Sequence, residues 1–365
     1  MSLLRGPLAW FGLDQKIFGA LIAVSTIFYI SLVRYYRFRW VKSLRVKYPD
    51  PNVVLEDKEL AFKIYSHTFR REFPTLARES LEFSLFKTFV LPTVSKLLIS
   101  TGEFKRAARR RAEDTELILS EIIDAHPRLV NHRRHTSEHI TPEEVAKQHA
   151  RQGESLKRLN ELHGKYPILN GDYLFTLALF LSEPIRWINN YEWRELDIRE
   201  VNAIFRVWHD IGVGMKIQDI PDTKEELLKF KEEYEIEHRK YHPANWQCAK
   251  PTIELLLERV PKILHPMVYK TLPCLLEKGD IEAFGIDPPS MLVRAGFHIM
   301  VTLRAKFIRY FCLPRRDFLI RTPFHPDKDG KYVPLYHLYK PVYPDGYRIA
   351  ELGPEKFLPK CPVAH

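Results

Sequence analysis

An uncharged apolar run from Ile17 to Val33, bounded by Lys16 and Arg34, limits what this chain can become more than any other feature. A helix needs about 17–25 such residues to cross the hydrocarbon of a bilayer, so the run lies at the short end of the spanning range. The flank that follows is densely basic: Arg34, Arg37, Arg39, Lys42, Arg45 and Lys47 come with no acid among them. Tyr29, Tyr35, Tyr36, Phe38 and Trp40 cluster where an interfacial aromatic belt would lie. A cleaved signal peptide would end on a small-x-small site, and none follows. Only Arg5 and Lys16 precede the run, so the positive-inside bias predicts one span with the bulk of the chain in the cytosol. Residues 1–16 would then be a short non-cytosolic N-terminus. The endoplasmic reticulum is the expected membrane for such an anchor.

The formal charge of +10 acquires a location from this reading. Most of the excess is juxtamembrane, where cations meet anionic head groups. A second basic run, Lys105, Arg106, Arg109, Arg110 and Arg111, is answered at once by Glu113 and Asp114 and reads as a solvated helix face. Neither run has the zinc-finger spacing or aromatic interleaving of a nucleic-acid binder, so no nucleic-acid partner is expected. With 26 prolines against 15 glycines, the remainder suggests helices broken at defined points and not a many-stranded β fold. Cys248, Cys274, Cys312 and Cys361 show no Cys-x-x-Cys spacing and read as free thiols.

Periodicity and breakers organise the rest. Residues 17–33 form the anchor, 34–58 a basic juxtamembrane linker, 59–316 a helical domain and 317–365 a Pro/Tyr-rich tail without much regular structure. Within the domain, Pro92 divides 75–100 into two short buried helices, and 103–123 reads as one helix. The stretch from His126 to Ile140 reads as an exposed connection. Thr141-Pro142-Glu143-Glu144 is a helix start, and Gly164 with Pro167 ends that helix just after His163. Helices over 170–190, 198–216, 222–240, 244–260 and 289–312 complete an all-α pattern.

Phosphate-binding glycine loops, nucleophile elbows and His-Glu-x-x-His are absent. His132, His135 and His139 could ligate a metal but sit in a polar segment that favours solvent exposure. The densest chemistry lies from Arg158 to Leu177. There His163 closes a helix beside Leu159, and Asn170 and Asp172 open the next one. A neutral imidazole at a helix end can ligate iron, or it can be a hydrogen-bonded core residue. Downstream, Trp208, Gly212, Gly214 and Met215 share one helical stretch. Each interior glycine costs about 1 kcal/mol against alanine, which points to close approach of another helix or of a flat ligand.

The ordered set Arg158-Leu159-Asn160…His163-Gly164, Ile168…Asn170…Asp172-Tyr173-Leu174, Glu183-Pro184…Trp187-Ile188, Trp193-Arg194, Trp208 to Pro221, and Leu313-Pro314-Arg315 resembles the fungal endoplasmic-reticulum-bound oxygenases of the MpaB type. One member of that family cleaves a farnesyl chain in mycophenolic acid biosynthesis. The resemblance covers roughly residues 60–316, and the family is distantly similar to the bacterial latex-clearing rubber oxygenases. It implies a globin-like helical core with additional helices, heme b as cofactor, and a small hydrophobic, prenyl-like substrate oxidised by molecular oxygen in secondary metabolism. His163 matches the axial heme ligand. Arg111 and Thr115 match a distal Arg-x-x-Lys-Thr motif in which Asp114 replaces the lysine, and Asn160 stands where the rubber oxygenases carry an arginine.

The expected site therefore holds His163 as the metal ligand, with Arg111, Asp114 and Thr115 on the oxygen side. Asp114 would be the general base, and Arg111 would pair with a propionate or with Asp114. Asn170, Asp172, Trp208, Gly212 and Met215 would flank the cofactor. The alternatives are a non-heme metal enzyme using His163 with Asp172 or His209, and a non-catalytic, membrane-tethered lipid-binding scaffold.

Overall fold

Nothing between Gln15 and Lys47 breaks a helix: there is no proline, and the glycine is single. Helix α1 (Gln15–Lys47) accordingly runs unbroken through the apolar run and its basic flank. In this computed structural model, which describes residues 15–136 and 138–358, α1 is long and apolar enough to cross a membrane. Residues 1–14 and Cys361 lie outside the described residues. Ile17, Leu21, Val24 and Phe28 are exposed, as a lipid-facing helix requires. The stretch read as a linker, 34–58, is helical as far as Lys47 and is docked. Val33, Arg37, Val41 and Leu44, spaced as one helix face, are buried against the body. Arg37 Nε donates to the Cys312 carbonyl at 2.8 Å, and Arg45 pairs with Asp197 at 2.7 Å.

All regular structure among the described residues is helical, apart from one antiparallel bridge between Tyr332 and Tyr347. After the short α2 (Val53–Glu56), α3 (Lys58–His67) passes through a π turn into α4 (Pro74–Lys87). Pro92 forces a 96° bend before α5 (Pro92–Ser100), the break expected from the sequence. The 103–123 stretch is two helices, not one: α6 (Glu103–Arg106) and α7 (Ala108–Ile123) separate at Ala107, whose φ is −144°. The break lets the buried Phe104 ring meet Phe89 edge-on at 5.4 Å. The stretch from His126 to Ile140 is mostly helical as well, as α8 (Ala125–His135). Its polar residues are not all solvated, because Arg128 is fully buried with a carboxylate.

Helix α9 (Pro142–His163) starts at a capping box between Thr141 and Glu144, with proline at its first position. Helix α10 (Asn170–Tyr191) buries every residue from Leu177 to Leu181, as a helix apolar all round must when it fills the centre of a domain. It packs against α4, against α11 (Ile198–Gly214) and against α12 (Lys224–His238). The outer layer is completed by α13 (Pro243–Leu257), α14 (His265–Thr271), α15 (Lys278–Phe284) and α16 (Met291–Phe311).

The C-terminal tail is irregular, but it does more than cover the surface. Arg321, Thr322, Tyr347 and Leu352 are buried in the bundle. Glu121, without solvent access, receives Arg128 at 3.1 Å, Arg151, and the Tyr347 hydroxyl of the tail. Arg321 pairs in turn with Glu113 and Glu116 of α7. Removing a shared carboxylate strands buried cations, which costs about 3–5 kcal/mol. Glu121→Ala is therefore expected to lower unfolding free energy by about that amount in detergent-solubilised protein, measured by denaturant titration. A loss below about 1 kcal/mol, the scale of a surface pair, would remove Glu121 from the centre of the fold.

Candidate active site

The last two turns of α9 point three side chains of the Arg158–His163 motif at three different targets. Arg158 holds the tail through the Leu352 carbonyl at 2.9 Å, and Asn160 donates to the Gly214 carbonyl at the end of α11 at 2.9 Å. With both neighbours engaged, His163 faces inward, onto a cavity of about 380 Å³. That volume is within the range of small-molecule sites. Its wall is largely apolar, with Leu81, Phe86, Phe89, Leu162, Leu177 and Phe180 among the contributors.

His163 Nδ1 is shut off from water and has no hydrogen-bond partner. Desolvation, with the Arg111 charge adding to it, pushes the imidazole pKa down to about 4. The ring is thus neutral at physiological pH, with a buried nitrogen that nothing among the described residues satisfies. Such an atom is costly unless something binds there. α7 supplies Arg111, Asp114 and Thr115 to the same cavity. Arg111 lies over the Phe104 ring at 4.6 Å, and desolvation pulls its pKa down. No carboxylate is within ion-pair distance of it among the described residues. The expected pairing of Arg111 with Asp114 is therefore not made. Asp114 turns instead to the tail, accepting from the Tyr343 hydroxyl, with Arg110 Nε 3.9 Å from its other oxygen. Burial raises the Asp114 pKa to about 7, against the opposing pull of Tyr343. Thr115 hydroxyl donates to the Arg111 carbonyl at 2.8 Å, within the helix.

The remaining expected residues divide. Asp172, Trp208 and Met215 line the cavity. Asp172 accepts from Thr93 at 2.9 Å and from Tyr234 at 3.0 Å, and Trp208 stacks on Phe180 at 4.3 Å between centroids. Asn170 is not on the wall: its amide makes two 2.9 Å bonds with the Gln218 backbone and fixes the loop after α11. Gly212 is not on the wall either. A Cβ there would meet Ile220 at 2.9 Å and Leu177 at 3.0 Å, so the missing side chain admits packing, not a flat ligand. Gly214 likewise makes room for Leu156. His132, His135 and His139 do not converge: His132 stacks on Phe324, and His135 pairs with Asp317 at 3.2 Å. Among the described residues, neither His163 with Asp172 nor His163 with His209 belongs to a group of three or more side chains that could hold a metal; the one such group is Glu235, Glu277 and Asp280. Its charge is answered by Lys87, Lys231 and Arg239.

Tyr343 was not legible from the sequence, because it reaches Asp114 across 229 residues of chain and carries no motif. Gly171 also acquires a reason only here: a Cβ would meet the Tyr234 ring at 2.6 Å, the same ring that reaches Asp172.

No family model matches the chain. Individual proteins do. The chain is 30% identical over 263 residues to the ER-bound oxygenase mpaB of Penicillium roqueforti, covering 66% of this chain and 81% of that one. The chain belongs to the mpaB oxygenase family. It is also 28% identical over 385 aligned positions to ER-bound oxygenase mpaB' of Penicillium brevicompactum, covering 90% of this chain and 86% of that protein. A second mpaB of the same species is 29% identical over 331 positions. An oxygenase role is thus supported for a chain whose inner cavity carries a neutral imidazole and a guanidinium with no carboxylate in ion-pair distance among the described residues.

Two titrations follow from the cavity. A carboxyl raised to about 7 is favoured protonated in the fold, so its stabilising contribution is present at low pH and is lost as pH rises through about 7. Difference infrared spectroscopy is expected to show a protonated carboxyl band disappearing near that pH, absent in Asp114→Asn. Tyr343→Phe should move the midpoint upward, because the lost hydroxyl bond favours the carboxylate. For His163 the sign is opposite: its contribution is lost as pH falls below the ordinary imidazole value towards about 4.

Proposed function

We propose that this protein is a heme-dependent oxygenase. On this reading it oxidises or oxidatively cleaves a small hydrophobic, prenyl-like substrate with molecular oxygen, in secondary metabolism. Its body would lie on the cytosolic face of the endoplasmic reticulum membrane, held by α1. One observation carries the reading: an unsatisfied, neutral imidazole at His163 stands in an apolar cavity that also contains a guanidinium without a carboxylate partner. Neutral imidazole nitrogen is the ligand form iron requires. A guanidinium is the donor that best matches a carboxylate, here a heme propionate.

His163 would hold the iron and Arg111 would meet a propionate. When bound, the heme supplies an iron that activates oxygen. The chain's own residues do the rest. Phe86, Phe89, Leu177 and Phe180 give an apolar chain a dry wall, and burial there stabilises each methylene by about 0.8 kcal/mol. Asp114, with a pKa of about 7, can hold or release a proton at Oδ1 or Oδ2 near physiological pH. Tyr343 orients that carboxyl. The anchor favours the same substrate class, since a prenyl chain partitions into the bilayer that α1 enters.

Purified full-length protein is expected to show a Soret absorption band and to contain about one iron per chain if a single axial histidine is used. His163→Ala should lose both while retaining its helical circular dichroism. A colourless, iron-free wild-type protein that is otherwise folded and active would end the heme reading.

A further inference from the structure

Over its whole length helix α16 buries no residue, whereas the long helices α9, α10, α11 and α13 each bury several. It is nevertheless apolar on one side. Leu292, Ile299, Met300, Leu303, Phe307 and Phe311 recur at helical spacing and are each 45–85% exposed. The other side holds the body, through Arg304 to Glu192 at 2.9 Å, Arg309 to the Trp193 carbonyl, and Phe297 against Tyr191. Helix α14 packs beside α16 and leaves Met267 exposed, and Ile263 in the turn before it is 86% exposed.

The position of this stripe is fixed by α1. Tyr29, inside the apolar run, donates to the Phe311 carbonyl at 2.8 Å, and the Phe311 ring shares a hollow with Phe18, Leu21, Ile22 and Ser25. One turn and more further along α1, Arg34 lies over the Tyr310 ring, and Arg37 binds the Cys312 carbonyl. If α1 crosses a bilayer, the C-terminal end of α16 therefore lies at the depth where the span leaves the hydrocarbon. Charge agrees with that depth: residues 288–316 contain Arg294, Arg304, Lys306, Arg309, Arg315 and Arg316, with no acid. An apolar stripe flanked by cations is the composition of a helix that lies in an anionic interface.

We propose that the outward face of α16, with the adjoining α14, is a second membrane contact. It would lie in the head-group and acyl boundary of the leaflet that α1 leaves, seating the body on the bilayer instead of letting it swing from one tether. The occupant is lipid and not a second copy of the chain, which would set one cationic segment against another. The inference rests on α1 being a bilayer span.

The test uses the full chain in vesicles of phosphatidylcholine and phosphatidylserine, labelled with a bilayer-partitioned photoactivated carbene and read by peptide mass spectrometry. Labels are expected on α1 and on the Leu292–Phe311 stripe. Leu303→Glu with Phe307→Glu, both at exposed positions, should lower α16 labelling several-fold while α1 labelling is unchanged. Label on α1 with none on α16 would overturn this contact alone, as would cross-links between copies through position 303. Absence of label from both helices would overturn the span as well.

Discussion

A buried carboxylate that must serve two arginines at once organises this molecule. Glu121 has no water to solvate it, so α7, α8 and α9 are held at the positions where Arg128 and Arg151 can reach it, and the tail enters to add Tyr347. Buried pairs of this kind contribute little net stability over well-packed apolar groups, but each is expensive to leave half made. They therefore select one arrangement among the many packings that apolar helices would accept. The same logic recurs where Arg70 meets Asp124 and where Lys87 meets Glu183 and Asp280.

The cavity is a consequence of that arrangement. α7 presents Arg111 and Asp114 to the cavity, and α9 ends at His163 on the same cavity. The tail that completes the ion-pair centre also supplies Tyr343 to Asp114 and the Leu352 carbonyl to Arg158. Structural and chemical roles thus lie on the same helices, a few residues apart. In an apolar enclosure a guanidinium without a carboxylate beside it and an imidazole nitrogen without a hydrogen bond are both unfavourable. Their coexistence is the feature on which the proposed heme site rests.

Much of the helical order could be read beforehand, because its signals are local. Thr141 with Glu144, and Pro92, act within a single turn, and each starts or breaks a helix where expected. The errors arose where distant partners overrule local polarity. The polar stretch after His126 reads as a loop until Arg128 finds Glu121. Asn170 and Gly212 sit in motifs that resemble the mpaB oxygenases, yet one bonds to Gln218 and the other admits Ile220. A motif preserves packing as readily as chemistry, and sequence spacing does not separate the two.

By itself the sequence determined the apolar α1, the all-helical class, and His163 at the end of a helix. Each depends on hydrophobic period, capping or breakers within a few residues. Only the tertiary structure decided that Asp114 answers to Tyr343 and not to Arg111, and that His163 Nδ1 has no hydrogen-bond partner among the described residues. It alone also left the apolar side of α16 uncovered. Desolvation and pairing are properties of what surrounds a group in space, and here the surroundings come from segments up to 229 residues away.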